Sequence, residues 1–411
     1  MTAAVAATAT ATATATVTRG PRMTDTADVI VIGAGVQGAS LAFHLASRGA
    51  SVIVLERSSV AAGATGRSSG LVRMHYDLLA ETRLAWASFP YFRDWAQRVG
   101  GECGFTKTGF LRIEPASVGD RLRANVTDRQ ALGIPTSVVD AEEMRRIAPG
   151  LEVDDDEVAA YEPDSGYADP SGTASGFMRA ARDGSARLVQ GAEVTAITVQ
   201  GGRVTGVETT RGSFAAPVVV NAAGGWAGRV AELAGLQIPV TVWRHDTGYL
   251  GVPPEVARPI PTVIDSAHGM YFRPEGSEMI LVGLEDHSGM GGSPDRDTSE
   301  ADPDFRDRAA ERIIRRVPGL IEGTFRTSHS GQDGLTPDER PILGPAGPLG
   351  FYLDCGHSGT GFKTAPAVGL GMSELILDGA ATSVDIAPFA LERFAEGRPL
   401  VGEHGGDLTW S

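Results

Sequence analysis

The sequence predicts an α/β fold, α+β overall, in two parts. One is a nucleotide-binding domain on a parallel sheet, assembled from three separated segments; the other is built on a mostly antiparallel sheet. Three observations carry this. A strand–glycine–helix–strand unit opens the chain at residues 28–56. Apolar strands running into small residues return in the middle, at VVVNAAGGWAG, and near the end. Between them, residues 238–285 alternate in polarity as an antiparallel sheet does.

The opening unit is justified residue by residue. Val29 to Gly33 is a β-branched apolar run, the pattern of a buried parallel strand. Gly33, Gly35 and Gly38 give G-x-G-x-x-G, with Ala34, Val36 and Gln37 between them. The first glycine makes the tight turn, the second lets the backbone approach a pyrophosphate, and the third lets helix and strand pack closely. A helix follows over Ala39 to Arg48 and stops at Gly49. Its N-terminus offers free N–H groups to phosphate. A second strand, Ser51 to Leu55, ends at Glu56, whose carboxylate suits ribose hydroxyls. This is a Rossmann-like unit, and it predicts a bound adenine dinucleotide.

Further elements follow in order. RSSVAAGATGRSSGLVRMHYD is a small-residue loop, and Leu78 to Val99 is helical. Residues 105–160 hold short strands, Phe110 to Ile113 among them, and one helix, Ala141 to Ile147, stopped by Pro149. The acid run Asp154 to Glu157 reads as a solvated turn. Ser171 to Asp183 is helical; Arg187 to Ile197, Arg203 to Thr209 and Gly212 to Asn221 are strands with glycine turns. Glu300 to Arg316 is a charged helix, residues 335–362 return to strand and glycine loop, and Ala365 to Leu377 is helical. The division expected is a disordered Ala/Thr tract at 1–26, a nucleotide domain from 27–100, 161–235 and 325–396, and a substrate domain from 101–160 and 236–324.

Composition excludes several function classes. A net charge of −15 opposes nucleic-acid and anionic-membrane binding. Two cysteines, Cys103 and Cys355, exclude a disulfide framework and fit a reducing cytoplasm. Residues 2–18 have no basic n-region and too much threonine for a span, and Met23 directly precedes the folded part. No segment is long and apolar enough to cross a bilayer. Of 36 basic residues only Lys107 and Lys363 are lysines; the scarcity fits a coding bias toward arginine, and against it a lysine that persists leans slightly toward a need for a compact, titratable ammonium. His287, His329 and His357 share no metal-ligand spacing, and no metal is expected.

Four segments converge on one cofactor: the βαβ unit, Gly63 to Gly70 (GATGRSSG), Asn221 to Trp226 (NAAGGW), and Cys355 to Lys363 (CGHSGTGFK) ahead of a helix. Together with LTPDERPILGP, and in this order, they resemble the FAD-dependent D-amino-acid oxidase superfamily, and within it sarcosine oxidase, its beta subunit, glycine oxidase and dimethylglycine dehydrogenase. The resemblance covers about residues 27–395. It implies FAD, a substrate domain over the flavin, and oxidation of an amine carbon by hydride transfer to flavin N5.

By that resemblance Glu56 and Arg57 serve the adenosine ribose, and Val194 meets adenine through its backbone. Thr65, Gly66, Arg67, Ser68, Ser69, Gly70 and Leu71, and then Ala222, Ala223, Gly224 and Trp226, line the dinucleotide. Gly356, His357, Gly359, Thr360, Gly361, Phe362 and Lys363 form the loop beside the flavin ring. Arg73 and Lys363 match the pair that clamps a substrate carboxylate. His75, Tyr76, Arg244, His245, Tyr271 and Glu285 are pocket candidates, a histidine among them being able to take the substrate's proton. For each, a hydrogen-bonded or surface role is the plain alternative.

Two departures matter. Some sarcosine oxidases link flavin to a cysteine, but Gly331 stands there, so a non-covalent FAD is expected. Those oxidases also use a sheet lysine to activate oxygen; here Leu281 falls near that position. The substrate expected is a small amine or amino acid, with O₂ or an electron carrier as acceptor. Assembly as a homo-oligomer or in a heteromeric complex is open. The rival readings are an NAD-dependent dehydrogenase and a flavin subunit acting mainly as an electron relay.

Overall fold

The computed structural model describes residues 25–286 and 289–405. The Ala/Thr tract up to residue 24, and His287, lie outside them. Asp25–Thr26, expected to be disordered, instead pair in parallel with Phe214–Ala215. Four sheets are present among the described residues. The first to consider has six strands: Ala186–Gln190, Val52–Glu56, Val29–Ile32, Val218–Asn221, Phe351–Cys355 and Ile342–Pro345, in that spatial order. All neighbours run parallel except the last pair. Its central strands are buried on both faces, which is why they read as continuous Val/Ile runs. The helices Val36–Ser47, Pro170–Asp183 and Gly361–Asp378 pack together over it.

The second sheet has eight strands and is largely antiparallel. Its order is Thr324–Leu335, Thr241–Gly251, Met279–Leu284, Met270–Glu275, Thr262–Asp265, Phe110–Glu114, Val158–Glu162 and Ser137–Asp140. One face packs on the helix Phe305–Arg316 through Ile280, Val282, Leu284, Phe272 and Ile313. The other face carries Phe110, Ile264, Tyr271 and Leu281, with Leu71 from the nucleotide side.

Several elements differ from the sequence reading. Arg187 to Ile197 breaks at Gly191, φ +67°, into two strands. Gly212 to Asn221 breaks at Pro217, and its halves enter different sheets. A second helix, Gly119–Ala131, precedes Ala141–Ile147. Thr324–Leu335 is one long strand paired along Thr241–Gly251. The boundary drawn at 325 therefore falls at the start of a strand of the large sheet. Glu157, read as part of a solvated turn, is buried and ion-paired to Arg316 at 2.7 Å.

Candidate active site

A cavity of about 480 Å³ runs along the ends of the parallel strands. That is within the size range of small-molecule sites. Its wall at one end is Glu56, Arg57, Val194 and Trp226; at the other it is Asp333, His357, Gly359 and Phe362. Between them stands the start of the helix Val36–Ser47, whose Gly35 N-cap makes no side-chain hydrogen bond and whose first turn holds no acid. Gly33 has φ +106°, and a Cβ there would meet the Ala222 carbonyl oxygen at 2.5 Å. A Cβ on Gly38 would lie 2.1 Å from the Gly33 carbonyl oxygen. These contacts explain the first and third glycines. At Gly35 a Cβ would reach the Thr65 hydroxyl at 3.2 Å, so the bare backbone keeps that hydroxyl free to accept from the Val36 N–H at 3.0 Å.

The Glu56 carboxylate is fixed by the Ala34 N–H at 2.9 Å and the Ser58 N–H at 2.7 Å. Arg57 lies over the Trp226 ring at 4.6 Å. Asp295 ties Arg57 (3.0 Å), the Trp226 indole N–H (2.7 Å) and Arg229 together, and these hydrogen bonds hold its carboxyl well below the usual range. At the far end, Gln37 Nε2 donates to the Gly361 carbonyl at 2.8 Å and lies 3.2 Å from His357 Nδ1. His357 Nε2 is 2.9 Å from Asp354.

Gly33, Gly35, Val36, Gln37, Glu56, Arg57, Thr65, Ser68, Val194, Ala222, Ala223, Gly224, Trp226, His357, Gly359, Gly361 and Phe362 line this cavity. Ala34, Gly38, Gly66, Ser69, Gly70, Leu71, Gly331, Gly356, Thr360 and Lys363 do not, and Arg67 lines a smaller recess beside it. Thr360 instead donates to Glu81 at 2.9 Å, and Leu71 packs against Tyr271. Asp333, Asp354 and Arg229 line the cavity and were not foreseen. Arg229 follows NAAGGWAG by sequence and was within reach; Asp333 sits in a strand with no alternation to announce it.

Beside the flavin-loop end lie two buried cations. The Arg73 guanidinium is 4.2 Å from the Tyr76 ring centroid, and the Lys363 ammonium is 5.7 Å from the same centroid. Burial, then the Arg73 charge, pushes the Lys363 pKa well below its ordinary value. Its hydrogen bond to the Gly359 carbonyl is long at 3.4 Å. The Tyr76 hydroxyl is buried with no hydrogen-bond partner among the described residues. Arg73 and Lys363 thus lie over one tyrosine ring, with the buried Glu81 carboxylate acting on both.

On the large sheet, His245 Nε2 lies 2.6 Å from the Tyr271 hydroxyl, which burial pushes up to about 12. Gly283 makes room for that ring; a Cβ would lie 2.2 Å from it. Glu285 continues the same strand, and burial raises its carboxyl to about 7 against the pull of Arg112 and Arg73. His75 is kept neutral by burial and by Arg129, Arg112 and Arg73. Arg244 faces the other way, bonded to Ser330 at 2.8 Å and the Glu300 carbonyl at 2.6 Å, and is structural. Leu281 packs with Leu71, Phe110, Ile264 and Tyr271, and the buried Arg273 stands opposite it across the ladder. Glu157, Asp265 and His268 cluster closely enough to hold a metal, but Arg316 already bonds both carboxylates there.

A nucleotide-sized cavity at the ends of a parallel sheet, beside a second, largely antiparallel sheet, is the arrangement of a dinucleotide-dependent oxidoreductase. The chain belongs to the FAD dependent oxidoreductase family, whose family model matches residues 28–375. Its cofactor is FAD. The chain is 30% identical to mitochondrial sarcosine dehydrogenase of Mus musculus, over 92% of this chain and 42% of that protein. It is 26% identical to sarcosine oxidase subunit beta of Arthrobacter sp, over 94% of this chain and 95% of that subunit. Among solved structures it superposes on L-proline dehydrogenase from P.horikoshii with TM-score 0.85 at 26% identity, covering 92% and 100% of the two chains. For glycine oxidase from Geobacillus kaustophilus the TM-score is 0.79 at 25% identity, covering 90% and 99%. The chain spans less than half the length of the sarcosine dehydrogenases it matches.

Proposed function

We propose that the chain oxidises the C–N bond of a small amino acid or N-alkyl amino acid of the sarcosine or glycine type. The observation that carries this is the Arg73–Lys363 pair over Tyr76, an anion site beside the flavin-loop end of the cavity. FAD bound non-covalently in the cavity supplies a hydride acceptor at N5. Its fit rests on the glycine cradle at Gly33, the uncapped helix start at Gly35 and the fixed Glu56 carboxylate. Arg73 and Lys363 hold the substrate carboxylate and thereby aim the C–H next to nitrogen. The hydrogen-bonded His245–Tyr271 pair accepts the proton that the ammonium loses, and the imine product hydrolyses in water.

The division of labour follows the sheets: residues 27–100, 161–235 and the chain after Leu335 hold FAD, and the eight-stranded sheet covers the substrate. Apolar packing around Leu281 favours an electron carrier over O₂ as acceptor, alone or in a larger complex. The two buried, unpaired cysteines fit a cytoplasmic setting. An anaerobic screen of sarcosine, dimethylglycine, glycine, proline and D- and L-amino acids should bleach the flavin absorption with at least one of them. Release of NAD in place of FAD on acid denaturation, or no bleaching by any amine, rejects the proposal.

A further inference from the structure

We infer that Asp333 is a proton-accepting group coupled to flavin reduction, because its carboxyl stands at the start of the helix Gly361–Asp378, where the reduced ring must place its charge. The direction of the dinucleotide follows from the cavity. Glu56, at the end of its strand, takes ribose, and the start of the helix Val36–Ser47 takes pyrophosphate. The ring is thereby sent to the opposite end, toward His357, Gly359 and Phe362.

Asp333 lines that end, and its partial exposure is to the cavity. The strand bearing it is fastened to the helix-start loop: the Ser358 N–H donates to the Gly334 carbonyl at 3.0 Å and the Thr336 N–H to the Ser358 hydroxyl at 3.2 Å. Asp333 Oδ1 accepts from the Gly334 N–H at 2.8 Å, and the carboxyl also draws on the Gly359 N–H. The titratable groups facing it are Lys363 from the helix and His357 from the loop. Asp354 lies behind His357 and is bonded to it. Glu81, across the helix start, is engaged by Arg340 at 3.1 Å and by Thr360, while Arg73 acts on Lys363. Burial raises the Asp333 pKa against these favourable partners.

The same N–H groups and the same lysine are what a negative charge on the reduced ring would draw on. Two anions sharing one set of donors raise each other's affinity for a proton. The hydride carries two electrons and one proton to the flavin. Asp333 then binds one further proton from water and becomes a neutral acid, so charge and atoms balance. The coupling depends on FAD binding and not on which amine is oxidised.

The test is the pH dependence of the flavin midpoint potential in the holoenzyme, measured electrochemically without substrate, for native protein, Asp333→Asn and Asp333→Glu. The native protein and Asp333→Glu should take up one more proton per flavin reduced than Asp333→Asn across the range where the carboxylate starts ionised. Asp333→Asn should also have the higher potential at alkaline pH. Parallel potential–pH lines for native and Asn proteins overturn the inference. Should Asp333→Asn fail to hold flavin, native protein taking up a single proton at every pH overturns it equally. Bleaching by an amine, scored separately on the native enzyme, reports on the substrate reading alone.

Discussion

Arg73 helps to depress the Lys363 pKa beside Tyr76, and on the proposed function a substrate carboxylate relieves it, which sets what single substitutions should do. Arg73→Ala and Lys363→Met should each lower kcat/KM by about 2–4 kcal/mol, roughly 30- to 1,000-fold, with FAD content unchanged. Steady-state kinetics with flavin quantitation checks this; unchanged substrate affinity and bleaching in both variants would reject the clamp. A pH dependence follows with a definite sign. Burial and Arg73 depress the Lys363 pKa in the empty site, and a bound carboxylate raises it again. Binding of a carboxylate without an amine, such as acetate, should therefore take up a proton and weaken as pH rises; Lys363→Met should flatten that trend. At this scale Lys363 was legible through the GHSGTGFK motif that carries the resemblance; rarity alone would equally have chosen Lys107, which lies exposed and paired with Asp164. Asp333 was hidden, since a single acid in a polar stretch carries no local sign of the cavity it faces.

Elements show a similar split between pattern and context. Buried strands such as Val29–Ile32 announce themselves, because both faces need apolar side chains. Thr324–Leu335 does not, for it is an edge strand of the large sheet whose TFRTSHSGQDGL lacks alternation and owes its form to backbone pairing. Gly212 to Asn221 looks continuous because the apolar Phe214 to Ala216 runs into Val218 to Val220, but Pro217 between them removes one ladder donor and redirects the chain. The helix Phe305–Arg316 depends on a partner far away in sequence. Its last residue, Arg316, is bonded to Glu157 and Asp265, both buried. Arg316→Met would strand two buried carboxylates and should cost about 3–5 kcal/mol of stability at neutral pH. For Asp265, burial raises the pKa, but hydrogen bonds from His268 and Arg316 prevail and lower it. That stability is present above the unfolded carboxyl pKa and is lost as pH falls through the folded one. The gap between native and variant denaturation midpoints should narrow in acid; a gap that is small at neutral pH, or independent of pH, contradicts the assignment.

For the whole molecule, the cofactor cavity is walled by segments spread from Ile32 to Phe362, all supplied by this one chain. The chain is therefore expected to bind FAD and, on the proposed function, to be reduced by its amine. What happens next depends on the large sheet. Leu281, near the place where the related oxidases carry an oxygen-activating lysine, is buried among Leu71, Phe110, Ile264 and Tyr271. An ammonium at such a place would help a negative charge to develop on oxygen; a leucine offers nothing comparable. On the proposed function Arg73 and Lys363 are engaged by substrate or product carboxylate, and Arg273, opposite Leu281 in the ladder, is held by Glu275 and by the Ser69 and Pro274 carbonyls. Reoxidation by O₂ should therefore be slow, by at least about tenfold (1.4 kcal/mol) relative to an artificial acceptor such as dichlorophenolindophenol. Stopped-flow reoxidation of pre-reduced enzyme, with air or with the acceptor, measures the ratio directly. Equal rates, with stoichiometric H₂O₂, would make the chain an oxidase and would require another route for oxygen activation in this pocket.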